Sequence, residues 1–246
     1  MTARVDVSGV ADGRVVVRFC LAHGEDPAAG LRSRGWRLLR SLEASREPDP
    51  WRVELTFAVA RTSGEVTAAA HPVPRDPGLS DADVAGAVLH QRVAAYALVT
   101  SGRGLLLTEL AETTNAAGQW TLPGGGLEPG EAVEAGLRRE IHEETGQEVG
   151  AIDFLGVRTG HWVGRAPGGD VEDYHAVRLV HRAVCHAPTD PVVHDIGGST
   201  SAAAWLPRAA LGGVPVVVSF ADLVAGYADG RPVTDVHVEG RAGRGR

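Results

Sequence analysis

The chain has 246 residues, 43% of them hydrophobic and 22% charged, with 32 Gly and 14 Pro. That composition suits one large globular domain or two modest ones, and no run of 18 apolar residues is present to cross a membrane. All 24 basic residues are Arg, and 31 acids leave a net charge of -7, which argues against general nucleic-acid binding. Met1–Gly13 lacks the charged-then-apolar pattern of a signal peptide, so a cytoplasmic location is expected. Cys20 and Cys185 sit alone in apolar, strand-like runs and are expected to be small buried residues.

From Gly13 to about Ala70 the pattern predicts strand, helix, strand, strand, which makes residues 1–79 a small α+β domain. Arg14–Leu21 and Trp51–Ala60 supply β-branched runs. Between them, Asp26-Pro27 is an N-cap followed by Pro at the first helical position. The helix then runs towards Leu42 on Leu31, Leu38, Leu39 and Leu42. Glu65–His71 reads as a short third strand, and Pro72–Pro77 as a linker. Ser80 or Asp81 caps a helix reaching about His90, so residues 80–91 form a linker helix. This first unit shows no chemistry.

Residues 92–228 open with strands Val93–Thr100 and Gly104–Leu110, joined by the hairpin signal Ser101-Gly102-Arg103. Trp120-Thr121-Leu122 leads into Pro123-Gly124-Gly125-Gly126, which breaks the pattern. A helix over about Glu131–Thr145 follows, with Val133, Leu137 and Ile141 at i, i+4 and i+8. Strands at Phe154–Arg158, Tyr174–Cys185 and Ala202–Leu206 and a helix at Phe220–Tyr227 complete the unit. Mixed strands with two helices predict an α/β/α sandwich around a mixed sheet. Residues 229–246 form a tail whose Gly/Arg-rich end is expected to be disordered.

The acids are unevenly spread. Between Gly125 and Glu148 lie seven Glu and two Arg, a local balance of -5. Spacings of three and four put Glu140, Glu143 and Glu144 on one helical face. A salt-bridged surface helix would place Arg at i+4 from these acids, yet that position is Glu144 for Glu140 and Glu148 for Glu144. Three clustered oxygen ligands suit Mg²⁺ or Mn²⁺ better than zinc. Gly136, one turn before Glu140, leaves room beside the helix, and the Gly124–Gly126 turn can present backbone groups near the same groove. Cations held between carboxylates and phosphate oxygens would serve phosphate chemistry.

At these residues the chain resembles the Nudix (MutT-like) hydrolase family, whose signature is G-x5-E-x7-R-E-U-x-E-E-x-G-U with U a bulky aliphatic residue. Gly125, Glu131, Arg139, Glu140, Ile141, Glu143, Glu144 and Gly146 match it. The departure is Gln147, where the family has an aliphatic residue packing at the helix exit. The resemblance covers about Arg92–Tyr227 and leaves the first 80 residues outside.

The resemblance implies a Nudix α/β/α sandwich and hydrolysis of the diphosphate linkage in a nucleoside diphosphate joined to another group, such as a nucleoside triphosphate or nucleotide sugar. It implies Mg²⁺ or Mn²⁺ as cofactor, with Glu140, Glu143, Glu144 and the Gly124 carbonyl as metal ligands. Arg139 would act at the catalytic centre by a salt bridge to Glu131 that orients the carboxylates, while Gly125 and Gly146 support the turn and the helix end. Glu140, or a carboxylate outside the box, would activate water. Asp195 is the first candidate for a downstream acid, with Asp170, Glu172 and Asp173 competing. Relatives often carry an Arg near Glu109 for substrate phosphate, and an acid stands here. Trp120, Trp162 and Tyr174 are candidates either to stack on a base or to pack in the core, and His142 and His175 are further site candidates. The implied partner is a small nucleotide-type molecule, with a homodimer among the expected assemblies. The other expectation is a catalytically silent nucleotide sensor with the N-terminal unit as effector or dimerisation element; that unit could also roof the active site.

Overall fold

The computed structural model describes residues 3–46, 49, 52–62, 72–166, 168–233 and 236. The first unit contains β1 (Arg4–Ala11), β2 (Arg14–Cys20), α1 (Pro27–Ser33), β3 (Trp36–Arg46) and β4 (Arg52–Arg61). Its sheet order is β2-β1-β4-β3, parallel between β1 and β4 and antiparallel elsewhere. β1 lies where the sequence suggests no strand, because Asp6 and Ser8 dilute its apolar pattern. Both are buried, and most of their partners come from neighbouring strands. Arg4 and Arg52 bind Asp6, while Ser8 Oγ donates to Glu54 at 2.6 Å and accepts from Arg18 at 2.9 Å.

α1 starts at its expected cap, where Asp26 Oδ1 accepts the amides of Ala28 and Ala29. It ends far short of Leu42. Gly35 takes φ +82°, open to glycine without strain, and Trp36 begins β3 instead. β3 carries two bulges, at Leu38/Arg40 and Ser41/Glu43, and of Leu38, Leu39 and Leu42 only Leu38 packs against the core, so their helix-like spacing forms no buried stripe. The third strand expected at Glu65–His71 lies outside the described residues. Pro72–Pro77 is no free linker: Val163 donates to the Pro74 carbonyl and Asp76 to that of Val163, each at 2.9 Å. The helix expected to reach His90 is the short α2 (Asp81–Ala85), capped by Ser80 and Asp83, because the chain is already extended by Val88.

The second sheet holds β5 (Val88–Ser101), β6 (Gly104–Leu110), β9 (Ile152–Arg165), β10 (Val171–Val184) and β11 (Thr200–Leu206) in the order β11-β6-β5-β10-β9. Short β7 (Trp120–Thr121) pairs with β6, and β8 (Gly124–Gly126) with β5. Only β5 and β10 run parallel, so the sheet is mixed. β9 continues past Arg158 because Thr159-Gly160 stays in register with β10 rather than turning. α3 (Val133–Thr145) covers one face; α4 (Ala221–Ala228) and a 3₁₀ turn over Arg208–Gly213 cover the other. This is the expected α/β/α sandwich.

On the α3 face, Val93, Ala95, Val157, Val177 and Leu179 pack with Leu137 and Ile141 in one cluster that also holds Val5, Val7, Leu55 and Phe57 of the first sheet. On the other face, Leu98, Leu105, Leu107 and Val180 meet Phe220, Leu223 and Val224. Cys185 is buried as expected, whereas Cys20 is exposed at the end of edge strand β2. Among the described residues no helix is long and apolar enough to cross a membrane.

His181 of β10 is buried against Phe154 and the Tyr96 carbonyl. Burial pushes its imidazole from 6.5 down to about 4, and burial acts likewise on His175, down to about 3. The unfolded chain therefore takes up protons that the folded one refuses. Stability is full above pH 6.5 and falls as the pH drops towards 4. For His181 the loss approaches roughly 3 kcal/mol. Denaturant melts near pH 7 and about pH 4.5 should show the His181→Gln variant losing markedly less stability than the parent; equal losses would overturn this account.

Candidate active site

The helix that carries the acids is held by its apolar stripe and its two ends. Val133, Leu137 and Ile141 are buried, and Gly146 closes α3 in the left-handed region, its amide donating to the His142 carbonyl at 2.8 Å. Ahead of the helix, β8 lies so close to β5 that a Cβ on Gly124 would collide with the Ala95 carbonyl. Gly124 turns its amide away from β5 and donates it to Glu144 Oε2 at 2.9 Å. A Cβ on Gly125 would fall inside contact distance of the Glu140 carboxylate. The space beside Gly136 is taken by Glu131 and Leu127.

Arg139 joins the carboxylates. Its Nε and Nη2 donate to the two oxygens of Glu131 at 2.9 and 3.0 Å, a bidentate pair, and Nη1 reaches Glu140 at 3.1 Å and Glu143 at 2.9 Å. The hydrogen bond from Arg139 holds Glu131 below the ordinary carboxylate range, and in return the guanidinium is held still more firmly protonated. Glu144 is buried, accepting from Gly124 and from Thr200 Oγ1 at 2.6 Å. Burial pushes its carboxyl up to about 7, and burial also raises Glu140. Three Glu thus share one guanidinium and Glu144 stands without a cationic partner, an excess of negative charge in a half-buried place. Oxygen-only donors with uncompensated charge fit a hard divalent cation.

Asp195 follows the helix end. Its amide donates to the Glu143 carbonyl at 3.1 Å, and its charge is among those felt by Glu144. The competing acids are engaged or exposed: Glu172 pairs with His90, Asp173 with His23 and His161, and Asp170 stands exposed in the β9–β10 turn. Glu109 accepts from Ser201. His142 pairs with Glu148 and stacks on His194.

Beside the box opens a cavity of about 340 Å³. Gly124, Gly125 and Glu144 form one side; Arg92, Tyr96, Trp162 and Arg178 form another, with Phe220 behind. Every described lining residue lies within 92–220, so the N-terminal unit does not roof it. Trp162 stacks on Tyr174 with ring centroids 4.6 Å apart, while Trp120 packs into the core on the α4 side. The sequence reading missed Arg92 and Arg178. The available signal was an Arg just ahead of the apolar run Val93–Val99 and another between Val177 and Leu179.

A family model described as NUDIX domain matches residues 90–222. The nucleoside triphosphatase NudI of Escherichia coli O1:K1 is 42% identical over 62 residues, which are 25% of this chain and 44% of that protein. The match therefore spans less than half the length of this curated relative. Among solved structures, a MutT NUDIX hydrolase from Burkholderia pseudomallei shares 26% identity over 55% of this chain and 95% of its own, with a TM-score of 0.42. The NUDIX domain of Shewanella oneidensis NrtR, solved with ADP ribose, shares 18% over 61% and 98%, with a TM-score of 0.46.

Gly125→Ala should leave the fold intact, because the added methyl meets the mobile end of a side chain rather than backbone. It should displace Glu140 and weaken Mn²⁺ binding by about tenfold, read by calorimetry. Unchanged affinity would show that Glu140 does not need this close approach.

Proposed function

We propose that this chain, which belongs to the NUDIX domain family, is a metal-dependent hydrolase that cleaves the diphosphate linkage of a nucleoside diphosphate joined to another group. The observation that carries this reading is the set of Glu140, Glu143 and Glu144, tied by Arg139 and by Gly124, with Glu144 lining a cavity that also holds two arginines. Nucleoside triphosphates and nucleotide sugars are the proposed substrates, and the cytoplasm the proposed location.

Glu140, Glu143, Glu144 and the Gly124 carbonyl would hold Mg²⁺ or Mn²⁺. The bound cation supplies Lewis-acid polarisation of phosphate oxygens and a more acidic water. The remaining work falls to the chain itself. Arg92 and Arg178 bind phosphate oxygens from the β5–β10 side of the cavity. Trp162, backed by Tyr174, offers a flat surface for a base. Arg139 engages Oε1 of Glu140 and leaves Oε2 for the cation, so a carboxylate outside α3, Asp195 first, would take the proton of the attacking water. Glu131 and Arg139 position the Glu140 carboxylate without touching substrate.

The test is product release from nucleoside triphosphates, nucleotide sugars, ADP-ribose and dinucleoside polyphosphates, with Mg²⁺ or Mn²⁺ against EDTA. Glu143→Gln should lower kcat at least about 100-fold. Arg178→Ala should raise KM roughly tenfold while changing kcat less. Tight nucleotide binding without turnover would overturn the hydrolase reading in favour of a sensor.

A further inference from the structure

On their opposite face, two of the strands that line the cavity carry a histidine and an aspartate that meet a histidine of the N-terminal unit. His23 Nε2 and His161 Nε2 both approach Asp173 Oδ1, at 2.9 and 2.6 Å. The three ligand atoms lie within 4.8 Å of one another, on side chains that are only 21%, 21% and 25% exposed. They come from three separate elements. His23 lies in the turn between β2 and α1, His161 on β9 and Asp173 on β10.

A third imidazole packs against these two. His175 is fully buried, and its Nδ1 is tied at 2.8 Å to Gln91 Oε1. Gln91 Nε2 donates to the Ala3 carbonyl, which fixes the amide so that Oε1 is the acceptor and His175 Nδ1 the donor. The lone pair of the neutral imidazole is therefore on Nε2, and this buried atom has no hydrogen-bond partner among the described residues. A buried nitrogen left in that state costs stability unless something binds it.

The ring geometry agrees. The His23 and His161 centroids are 5.2 Å apart, and those of His175 are 5.5 and 6.1 Å from them, all edge-on rather than stacked. Imidazoles sharing a tetrahedral ion at about 2.0 Å per bond place their centroids roughly 5 Å apart. The separations at Asp173, 2.9 and 2.6 Å, need to open by about 0.4 and 0.7 Å to match the roughly 3.3 Å between donors around such an ion.

We propose that His23, His161 and Asp173 form a binding site for a divalent transition metal of the zinc class, with His175 packed edge-on against both imidazoles. The ligand chemistry separates it from the box: imidazole nitrogens with one carboxylate select zinc-like ions, whereas oxygen-only glutamates select magnesium-like ones. The ion would join the N-terminal unit to the two strands whose other face carries Trp162 and Tyr174. This site does not depend on the proposed hydrolase activity.

The full chain, stripped of metal and held in excess Mg²⁺ to occupy the box, is titrated with Zn²⁺ by calorimetry. One equivalent should bind, and Zn²⁺ should raise the melting temperature. His23→Ala and Asp173→Asn should each weaken that binding at least tenfold and abolish the thermal shift, while the Glu140→Gln/Glu143→Gln protein keeps both. Co²⁺ in place of Zn²⁺ should give the visible absorption of a tetrahedral site in the parent and not in His161→Gln, which decides the matter where another variant fails to fold. Absence of zinc binding overturns the proposal, as does an equivalent that survives His23→Ala or is lost with the box glutamates.

Discussion

A single guanidinium makes the acidic face possible. Four carboxylates gathered at one end of a sheet would drive one another apart, and Glu140 and Glu144 already feel the cost of burial. Arg139 answers with five hydrogen bonds, two to Glu131, one each to Glu140 and Glu143, and one to the Gly126 carbonyl at 3.2 Å. Only a planar, multidentate cation can bond the loop and the helix at once; a lysine ammonium is a point charge without that fork. Because Glu131 precedes α3 and Gly126 belongs to β8, the same side chain fixes the approach of the loop to the helix. It leaves the acids short of neutral, which is the condition under which a site holds a cation.

The N-terminal unit touches this arrangement from behind. Arg46, at the end of β3, donates to the carbonyls of Glu131 at 2.9 Å and Glu128 at 2.8 Å, in the loop that Arg139 grips from the other side. The hydrophobic cluster under α3 is built jointly: Leu55 and Phe57 of β4 belong to the same packed group as Leu137 and Ile141. The first sheet thus completes the surface on which the acidic helix rests, although none of its described residues enters the cavity.

What was legible in the sequence was local. The stripe Val133, Leu137, Ile141, the glycine turn and the eight-residue step from Glu131 to Arg139 are all fixed within one loop and one helix. Gln147 shows where locality ends. It is buried at a position where an aliphatic residue is usual in the resembled family, and its amide is satisfied by Thr189, donating to Oγ1 at 2.9 Å and accepting from N at 3.0 Å. Only the path of the 185–190 segment explains that choice. Arg92 and Arg178 were missed because they meet only through the parallel pairing of β5 with β10, and His23 stands 150 residues from Asp173. β3 misled for a different reason, since Leu38, Leu39 and Leu42 carry a helix-like spacing of which only Leu38 packs against the core.

Strand alternation explains how one pair of strands can serve two sites. β9 and β10 stay in unbroken register from Arg165/Val171 to Gly156/Val180, so successive side chains must point to opposite faces. Thr159, His161, Asp173 and His175 therefore face the N-terminal unit, where Thr159 bonds the capping Asp26 at 3.0 Å. Trp162, Tyr174 and Arg178 face the other way, with Trp162 and Arg178 lining the cavity. A change in how the first unit grips these strands cannot reach the cavity through direct contact. It can reach it through the backbone, because displacing His161 displaces Trp162 as well. The same pleat that keeps the two chemistries apart also joins them mechanically.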